Sequence, residues 1–116
     1  LELGRDKAAI ELGIDAQAMF SDDGQSVRVL TTSKTPLQGD LVLTLLHPTR
    51  QQDDQHVSLT RQGDNIYQAR INAGNAKHWY VRLEDKAGKW RLQGEWRPGE
   101  SAMVQLGNPK LEPAEQ

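Results

Sequence analysis

Hydrophobic and polar residues alternate along most of the chain, in runs of about five to eight residues separated by turn-forming residues. Alternation with a period of two is typical of β-strands that bury one face and leave the other in water. Seven such runs predict a mainly β fold, and seven is the strand count of an immunoglobulin-like β-sandwich. The predicted strands are Ala16–Phe20, Ser26–Thr32, Asp40–His47, His56–Thr60, Asn65–Ile71, His78–Glu84 and Lys89–Trp96.

The first residues follow a helical pattern instead. Leu3, Ala8, Ile10 and Leu12 are interleaved with charged residues, and Gly13 is well placed to end a short N-terminal α-helix. A helix of roughly a dozen residues is marginal on its own in water, so we expect it to lean on the rest of the domain or to continue an upstream element.

The pattern divides the chain into three segments. We expect the helix over residues 1–13, the seven-stranded immunoglobulin-like sandwich over residues 14–106 and a mobile tail over residues 107–116. Within the sandwich, Ala102–Leu106 is expected to add a short strand at a sheet edge.

The last two predicted strands form a hairpin whose inner face carries all three tryptophans. Asp85–Gly88 closes this hairpin, with Gly88 in the left-handed conformation. Alternation predicts the following inward residues: Trp79, Val81, Leu83, Trp90, Leu92, Gly94 and Trp96 in the hairpin, and Val27, Val29, Leu41, Leu43, Leu45, Val57, Leu59, Tyr67, Ala69 and Ile71 elsewhere.

Composition excludes several classes of protein. The 116 residues leave room for one domain, and 36% hydrophobic residues are enough for a thin core. Fourteen basic against sixteen acidic residues argue against a nucleic-acid-binding surface. With no cysteine, the chain has no disulfide, thiol chemistry or cysteine-ligated metal.

Candidate catalytic and metal-binding residues are few. His56 and Ser58 lie two apart on a predicted strand and share a face, but no nucleophile motif surrounds them, so we expect no catalytic residues. Imidazole and thioether groups suit copper, yet His47, His56 and His78 lie in separate runs, as do Met19 and Met103. We therefore expect no metal site and no cofactor, and interpret His47 as a loop-fixing side chain before Pro48.

The outer face of the predicted hairpin is rich in charge. Its basic residues could form an anion site, but Glu84 and Glu95 share the face, so cross-strand charge pairing is the preferred interpretation. The basic residues are Arg82, Lys89, Arg91 and Arg97. Among the tryptophans, we expect Trp79 and Trp90 in the core, and Trp96, near a strand end, as a partly exposed protein contact.

Several segments together resemble the FixH family, accessory proteins encoded with a copper-transporting ATPase and needed for assembly of C-type haem-copper oxidases in bacteria. The likeness extends from Gly4 to Leu106, and the tryptophan hairpin is its most specific part. The segments that carry it are Gly4–Ala9, Leu12–Gly13, Leu43–Arg50, Leu59–Arg61, His78–Asp85 and Gly88–Trp96.

The resemblance implies a non-enzymatic periplasmic domain attached to the bacterial inner membrane by one N-terminal transmembrane helix. Because the sequence begins with Leu1, we expect that helix upstream of it. The implied partners are oxidase subunits and a copper-transporting ATPase, and the family pattern implies no catalytic or ligand residues. The alternative is a periplasmic copper carrier or sensor that uses His47 and His56 with a methionine.

Overall fold

The computed structural model describes residues 2–107, with side chains from residue 4 onward. Of the predicted tail, residues 107–116, only Gly107 is among them, and residues 108–116 lie outside the described part. The described residues form one α-helix, nine β-strands and a short 3-10 helix. These elements are α1 (Glu2–Glu11), β1 (Asp15–Phe20), β2 (Ser26–Thr32), β3 (Leu41–Leu46), the 3-10 helix (Gln51–Asp53), β4 (Gln55–Ser58), β5 (Thr60–Gly63), β6 (Ile66–Arg70), β7 (Trp79–Asp85), β8 (Arg91–Trp96) and β9 (Met103–Leu106).

The strands build two antiparallel sheets that share one hydrophobic core. One sheet has the order β5-β6-β2-β1-β9 and the other the order β4-β3-β7-β8. The predicted inward residues of both sheets meet in this core, with Val57 and Ala69 half-buried at its margin. The mainly β prediction is confirmed, whereas the count of seven strands is wrong, because the residues described contain nine.

One of the two additional strands arises where a predicted strand changes sheets. His56–Thr60 was expected to be continuous, but β4 pairs with β3 in one sheet and β5 pairs with β6 in the other. At the change, the Leu59 N–H donates to the Leu41 carbonyl at 2.9 Å, and the Leu59 side chain is buried. The alternation of polar and apolar residues runs through this point unbroken, so the pattern carries no sign of it.

The other additional strand is the expected edge strand. β9 pairs with β1 and lies at the end of the five-stranded sheet, next to β8 of the other sheet. The two sheets approach closely here, because the Gly107 N–H donates to the Gln93 carbonyl at 3.2 Å. A side chain at Gly94 would lie 2.8 Å from Leu106 Cδ2 and 2.9 Å from the Gln105 carbonyl oxygen, which explains a glycine in this strand.

The helix ends as the sequence indicates. Gly13 adopts a φ of 66°, and its N–H donates to the Ile10 carbonyl at 3.0 Å, while the Ile14 N–H donates to the Ala9 carbonyl at 2.9 Å. This pair of bonds is a Schellman motif, in which glycine tolerates the left-handed conformation without a Cβ clash. Ala9 and Ile14 are both buried in the core, so the motif fastens α1 to the domain.

The tryptophan hairpin forms, with a turn held by an aspartate. Gly88 has a φ of 78°, as predicted, and its N–H donates to the Asp85 carbonyl. The Asp85 carboxylate accepts the N–H groups of Lys89 and Trp90 at 2.7 and 3.2 Å. Because those two N–H groups serve the turn, β8 begins at Arg91 rather than at Lys89.

Candidate functional site

The outer face of the four-stranded sheet carries three rows of side chains set by strand register. Each row crosses the sheet from β4 or β3 to β8, and the rows lie two residues apart along the strands. The rows are Ser58–Val42–Glu84–Arg91, then His56–Thr44–Arg82–Gln93, then Leu46–Tyr80–Glu95.

Helix α1 covers the β8 side of the first two rows. Arg5 Nη1 donates to Glu84 Oε2 at 3.0 Å. The Asp6 carboxylate accepts from Arg91 Nε and Nη2, both at 3.2 Å, and from Gln93 Nε2 at 3.3 Å. The Arg91 side chain is only 4% exposed, so α1 buries a guanidinium that alternation alone would leave in water.

These contacts correct the expected charge pairing in part, because Glu84 and Arg91 are opposite each other in register but also have ion-pair partners on α1. The basic residues of the hairpin were predicted to pair with acidic residues of the neighbouring strand. In the structure, Glu84 pairs with Arg5 of α1, and Arg91 pairs with Asp6 of α1. At the far end of the hairpin, Glu95 lies 3.2 Å from His78 across the hairpin and accepts from Arg97, just after β8, at 3.3 Å. The helix thus supplies ion-pair partners in addition to those that strand register places opposite each other.

The end of the outer face that carries Leu46, Tyr80 and Glu95 forms a groove of about 460 Å³. We call it the Tyr80 groove, lined by the side chains of Leu46, Tyr80, Arg82, Gln93 and Glu95. Tyr80 is 42% exposed, and Leu46, its direct cross-strand neighbour, is half-buried. Arg82 is half-buried, and among residues 4–107, whose side chains the structure describes, none forms a hydrogen bond or ion pair with its guanidinium.

Charged and aromatic contacts hold the edge of the groove in place. His78 Nε2 lies 3.2 Å from Glu95 Oε1, and Arg97 Nη2 donates to the same oxygen at 3.3 Å. The His78 ring also packs against Tyr80, with 4.7 Å between the ring centroids. The Glu95 carboxylate thus has two partners, His78 and Arg97, and neither of them is Arg82.

His47 fixes the loop after β3, as the sequence suggested. Its Nδ1 accepts the N–H groups of Thr49 and Arg50 at 3.1 and 3.0 Å, and its own N–H donates to Asp54 Oδ1 at 2.7 Å. The His47 ring meets Trp79 edge-on, 5.4 Å between centroids. A second cleft of about 600 Å³ lies between this loop and residues 72–76.

The candidate copper ligands do not come together. His47 follows Leu45 on the inward side of β3, whereas His56 lies on the outer face, where its Nδ1 is 3.1 Å from Thr44 Oγ1. Met19 and Met103 are direct cross-strand neighbours, but on the other sheet. No group of three or more His, Asp or Glu side chains able to hold a metal occurs within the part of the chain that the structure describes.

The remaining predicted residues have mixed outcomes. His56 and Ser58 share the exposed outer face, as alternation predicted. Trp79 and Trp90 are core residues, also as predicted. The expectation for Trp96 is wrong: it is 3% exposed, because its ring stacks on Phe20 at 3.7 Å and its Nε1 donates to the Ser101 carbonyl.

The sequence pattern pointed Tyr80 and Arg82 outward and named Arg82 among four basic residues of a possible anion site, but it did not separate Arg82 from the other three or single out Tyr80. Every residue of that parity on β7 and β8 has the same outward signature, so the open part of the face cannot be told from the covered part. The distinction depends on where α1 packs, and the helical pattern of residues 1–13 does not specify this.

Comparisons with known proteins give one match. The FixH family model matches residues 1–97, which include α1, strands β1 to β8 and the side chains that line the Tyr80 groove. Neither the curated proteins nor the solved structures contain a match to the chain. No helix within residues 2–107 is long and apolar enough to cross a membrane.

Proposed function

The chain belongs to the FixH family, and from this premise we propose that it is a non-enzymatic accessory factor that supports assembly of a haem-copper respiratory oxidase. FixH is generally an accessory, non-catalytic family. The observation that carries the proposal is that the matched region includes a sheet covered in part by α1 and, beside it, the open Tyr80 groove. A surface of this kind suits docking to another protein.

The proposed setting is the periplasmic face of the bacterial inner membrane, with an N-terminal transmembrane helix as the anchor. The proposed partners are subunits of the oxidase and a copper-transporting ATPase. Support comes from the family and from the way α1 is attached: Ala9 is buried and two ion pairs hold the helix to the sheet. An anchor continuous with α1 would therefore set the orientation of the groove relative to the membrane.

The proposal extends to the fold, which we interpret as an enlarged immunoglobulin-like sandwich. Without β4 and β9, the sheet orders are β5-β6-β2-β1 and β3-β7-β8. An immunoglobulin constant domain has two antiparallel sheets with four and three strands in this same relative order. In this interpretation β4 and β9 are additions at opposite ends of the two sheets.

Deletion of the full-length gene tests the function. Oxidase activity and oxidase subunit levels in membranes from cells grown at low oxygen should both fall, and return with the wild-type gene. A gene with Arg28→Gln should restore oxidase as well as the wild-type gene does, since Arg28 is exposed on the opposite sheet, away from the Tyr80 groove. Unchanged oxidase in the deletion strain would refute the proposal.

The competing proposal is a periplasmic copper carrier or sensor with histidine and methionine ligands. The observation in its favour is the cross-strand pair Met19 and Met103, whose soft thioethers suit copper(I). A carrier predicts that added copper restores oxidase in the deletion strain and that purified protein retains copper after dialysis. An assembly factor predicts neither result, and predicts that alanine at His47 and His56 leaves oxidase assembly intact wherever the protein still folds.

A further inference from the structure

We propose that the Tyr80 groove binds a segment of a partner protein that presents a carboxylate next to an apolar side chain. This inference rests on the proposed function as an accessory factor and adds the chemistry of the partner. It is carried by the contrast between Arg82 and the other arginines of the same face.

Arg82 is the arginine that lacks a carboxylate among the described residues of this face. Arg5 pairs with Glu84, Arg91 with Asp6, and Arg97 with Glu95. The cross-strand neighbours of Arg82 are Thr44 on β3 and Gln93 on β8, and both are uncharged. A half-buried guanidinium gains strong, directional hydrogen bonds when a carboxylate reaches it, because its planar N–H groups match the two oxygens.

The apolar half of the proposed segment has its own place in the groove. Leu46 and Tyr80 are direct cross-strand neighbours one row away from Arg82. Adjacent rows lie two residues apart along a strand, so a partner strand or extended peptide could place an acidic and an apolar residue on them together. Tyrosine and arginine are also among the side chains enriched at the positions that dominate the binding energy of protein interfaces.

The surroundings favour a protein segment over a phospholipid surface. Glu95 lines the groove and is exposed, so it repels a continuous anionic surface, whereas a peptide can avoid it. The hydrogen bonds of His78 and Arg97 hold the Glu95 carboxylate at the edge and away from Arg82. A polar edge around an apolar centre is the usual organisation of a protein–protein interface.

A peptide titration tests the chemistry of the site. The probes are an extended peptide of Leu-Thr-Glu-Thr repeats, which presents leucine and glutamate in turn on one face, and a matched peptide with glutamine at each glutamate. Nuclear magnetic resonance signals of Tyr80 and Arg82 should shift with the acidic peptide, and the glutamine peptide should bind about tenfold more weakly. Shifts of equal size with both peptides, or none with the acidic one, would overturn the proposal.

Variants locate the binding. Arg82→Gln should weaken the acidic peptide about tenfold, while Arg28→Gln on the opposite sheet should leave its affinity unchanged. The comparison of two peptides on the wild-type protein does not depend on folding of a variant. Weakening by both substitutions to the same extent would indicate a general charge effect and would contradict a site at Arg82.

A photo-crosslinker in cells separates this inference from the proposed function. The full-length protein with the crosslinker at position 80 should give a polypeptide adduct, which Arg82→Gln removes; position 103, which is also exposed but lies on β9 of the other sheet, is the control. If Arg82→Gln removes the adduct and the gene deletion leaves oxidase activity normal, the groove proposal is supported and the oxidase function is refuted. An adduct unaffected by Arg82→Gln, or one with lipid, would refute the groove proposal even if deletion abolishes oxidase.

Discussion

Asp6 and Arg91, 85 positions apart in sequence, form an ion pair in which the carboxylate accepts from both Nε and Nη2 of the guanidinium. Asp6 belongs to α1 and Arg91 begins β8. This contact joins the first element of the chain to the tryptophan hairpin. It also makes the outer face of the sheet asymmetric, with a covered part under α1 and an open part at the Tyr80 groove.

We expect Asp6→Asn to destabilise the protein. The change keeps the shape of the side chain but removes the charge that faces a guanidinium only 4% exposed. A hydrogen bond to a charged group contributes about 2 kcal/mol, so the free energy of unfolding in urea should fall by about that amount. Lys7→Ala, at an exposed position of the same helix, is the control. Equal stability of the two variants would contradict the role given to Asp6.

We expect Gly94→Ala to destabilise the protein through a steric clash. The added methyl group would approach Leu106 Cδ2 and the Gln105 carbonyl within 3 Å, and a backbone carbonyl cannot rotate away. Overpacking of this kind costs about 2 kcal/mol. In Gly63→Ala the nearest atom would be 3.8 Å away, so its effect should be small. Thermal unfolding of the two variants provides the comparison, and a Gly94→Ala protein as stable as Gly63→Ala would refute the close approach.

His47 should carry its proton on Nε2 when neutral. Two backbone N–H groups point at Nδ1, which can accept them only as an unprotonated nitrogen. Nitrogen chemical shifts of the imidazole ring report the tautomer directly. In His47→Phe the amides of Thr49 and Arg50 should exchange with solvent faster, whereas His56→Phe should leave them unchanged. A neutral His47 protonated at Nδ1 would contradict the loop geometry.

Burial raises the pKa of Tyr67 above its ordinary value of 10.0, although the nearby Arg61 acts in the opposite direction. Its hydroxyl is buried and has no hydrogen-bond partner among the residues described. Because the folded state retains the proton more tightly than the unfolded chain, the free energy of unfolding falls as the pH rises from about 10 through the folded-state pKa. Below about pH 10 Tyr67 is protonated in both states and does not make the free energy of unfolding depend on pH.

Tyr67→Phe should therefore reduce the alkaline loss of stability. At neutral pH the variant should be as stable as the wild type or slightly more so, because it removes a buried hydroxyl without breaking a hydrogen bond. Urea unfolding at neutral pH and above pH 10 measures both effects. Tyr80→Phe, which changes an exposed ring, should retain the alkaline loss. An identical pH dependence in Tyr67→Phe and wild type would refute the assignment to Tyr67.

Many features of the fold could be predicted because they depend on nearby residues. The inward set from Val27 to Trp90 follows from alternation, and the left-handed turns at Gly13 and Gly88 follow from the freedom of glycine. The interpretation of His47 as a loop-fixing residue also needed only its neighbours, since its bonds reach Thr49 and Arg50. The family resemblance was likewise correct.

The candidate site could be predicted only in part. Alternation placed Tyr80, Arg82 and Arg91 outward with the same signature, yet Arg91 is buried by α1 and Tyr80 is open. Trp96 was expected to be a contact point, but Phe20, from the distant β1, stacks on its ring. In each case the deciding partner lies far along the chain and in another element.

Local patterning therefore determined most of the strand-forming residues, which way their side chains point and where the helix ends, because each of these depends on residues within a few positions. The tertiary structure decided the rest. The change of sheet at Leu59 depends on a hydrogen bond to Leu41, and the open groove depends on where α1 packs. Contacts between distant elements depend on packing and hydrogen bonding across the whole domain, and a period of two along one strand carries no record of them.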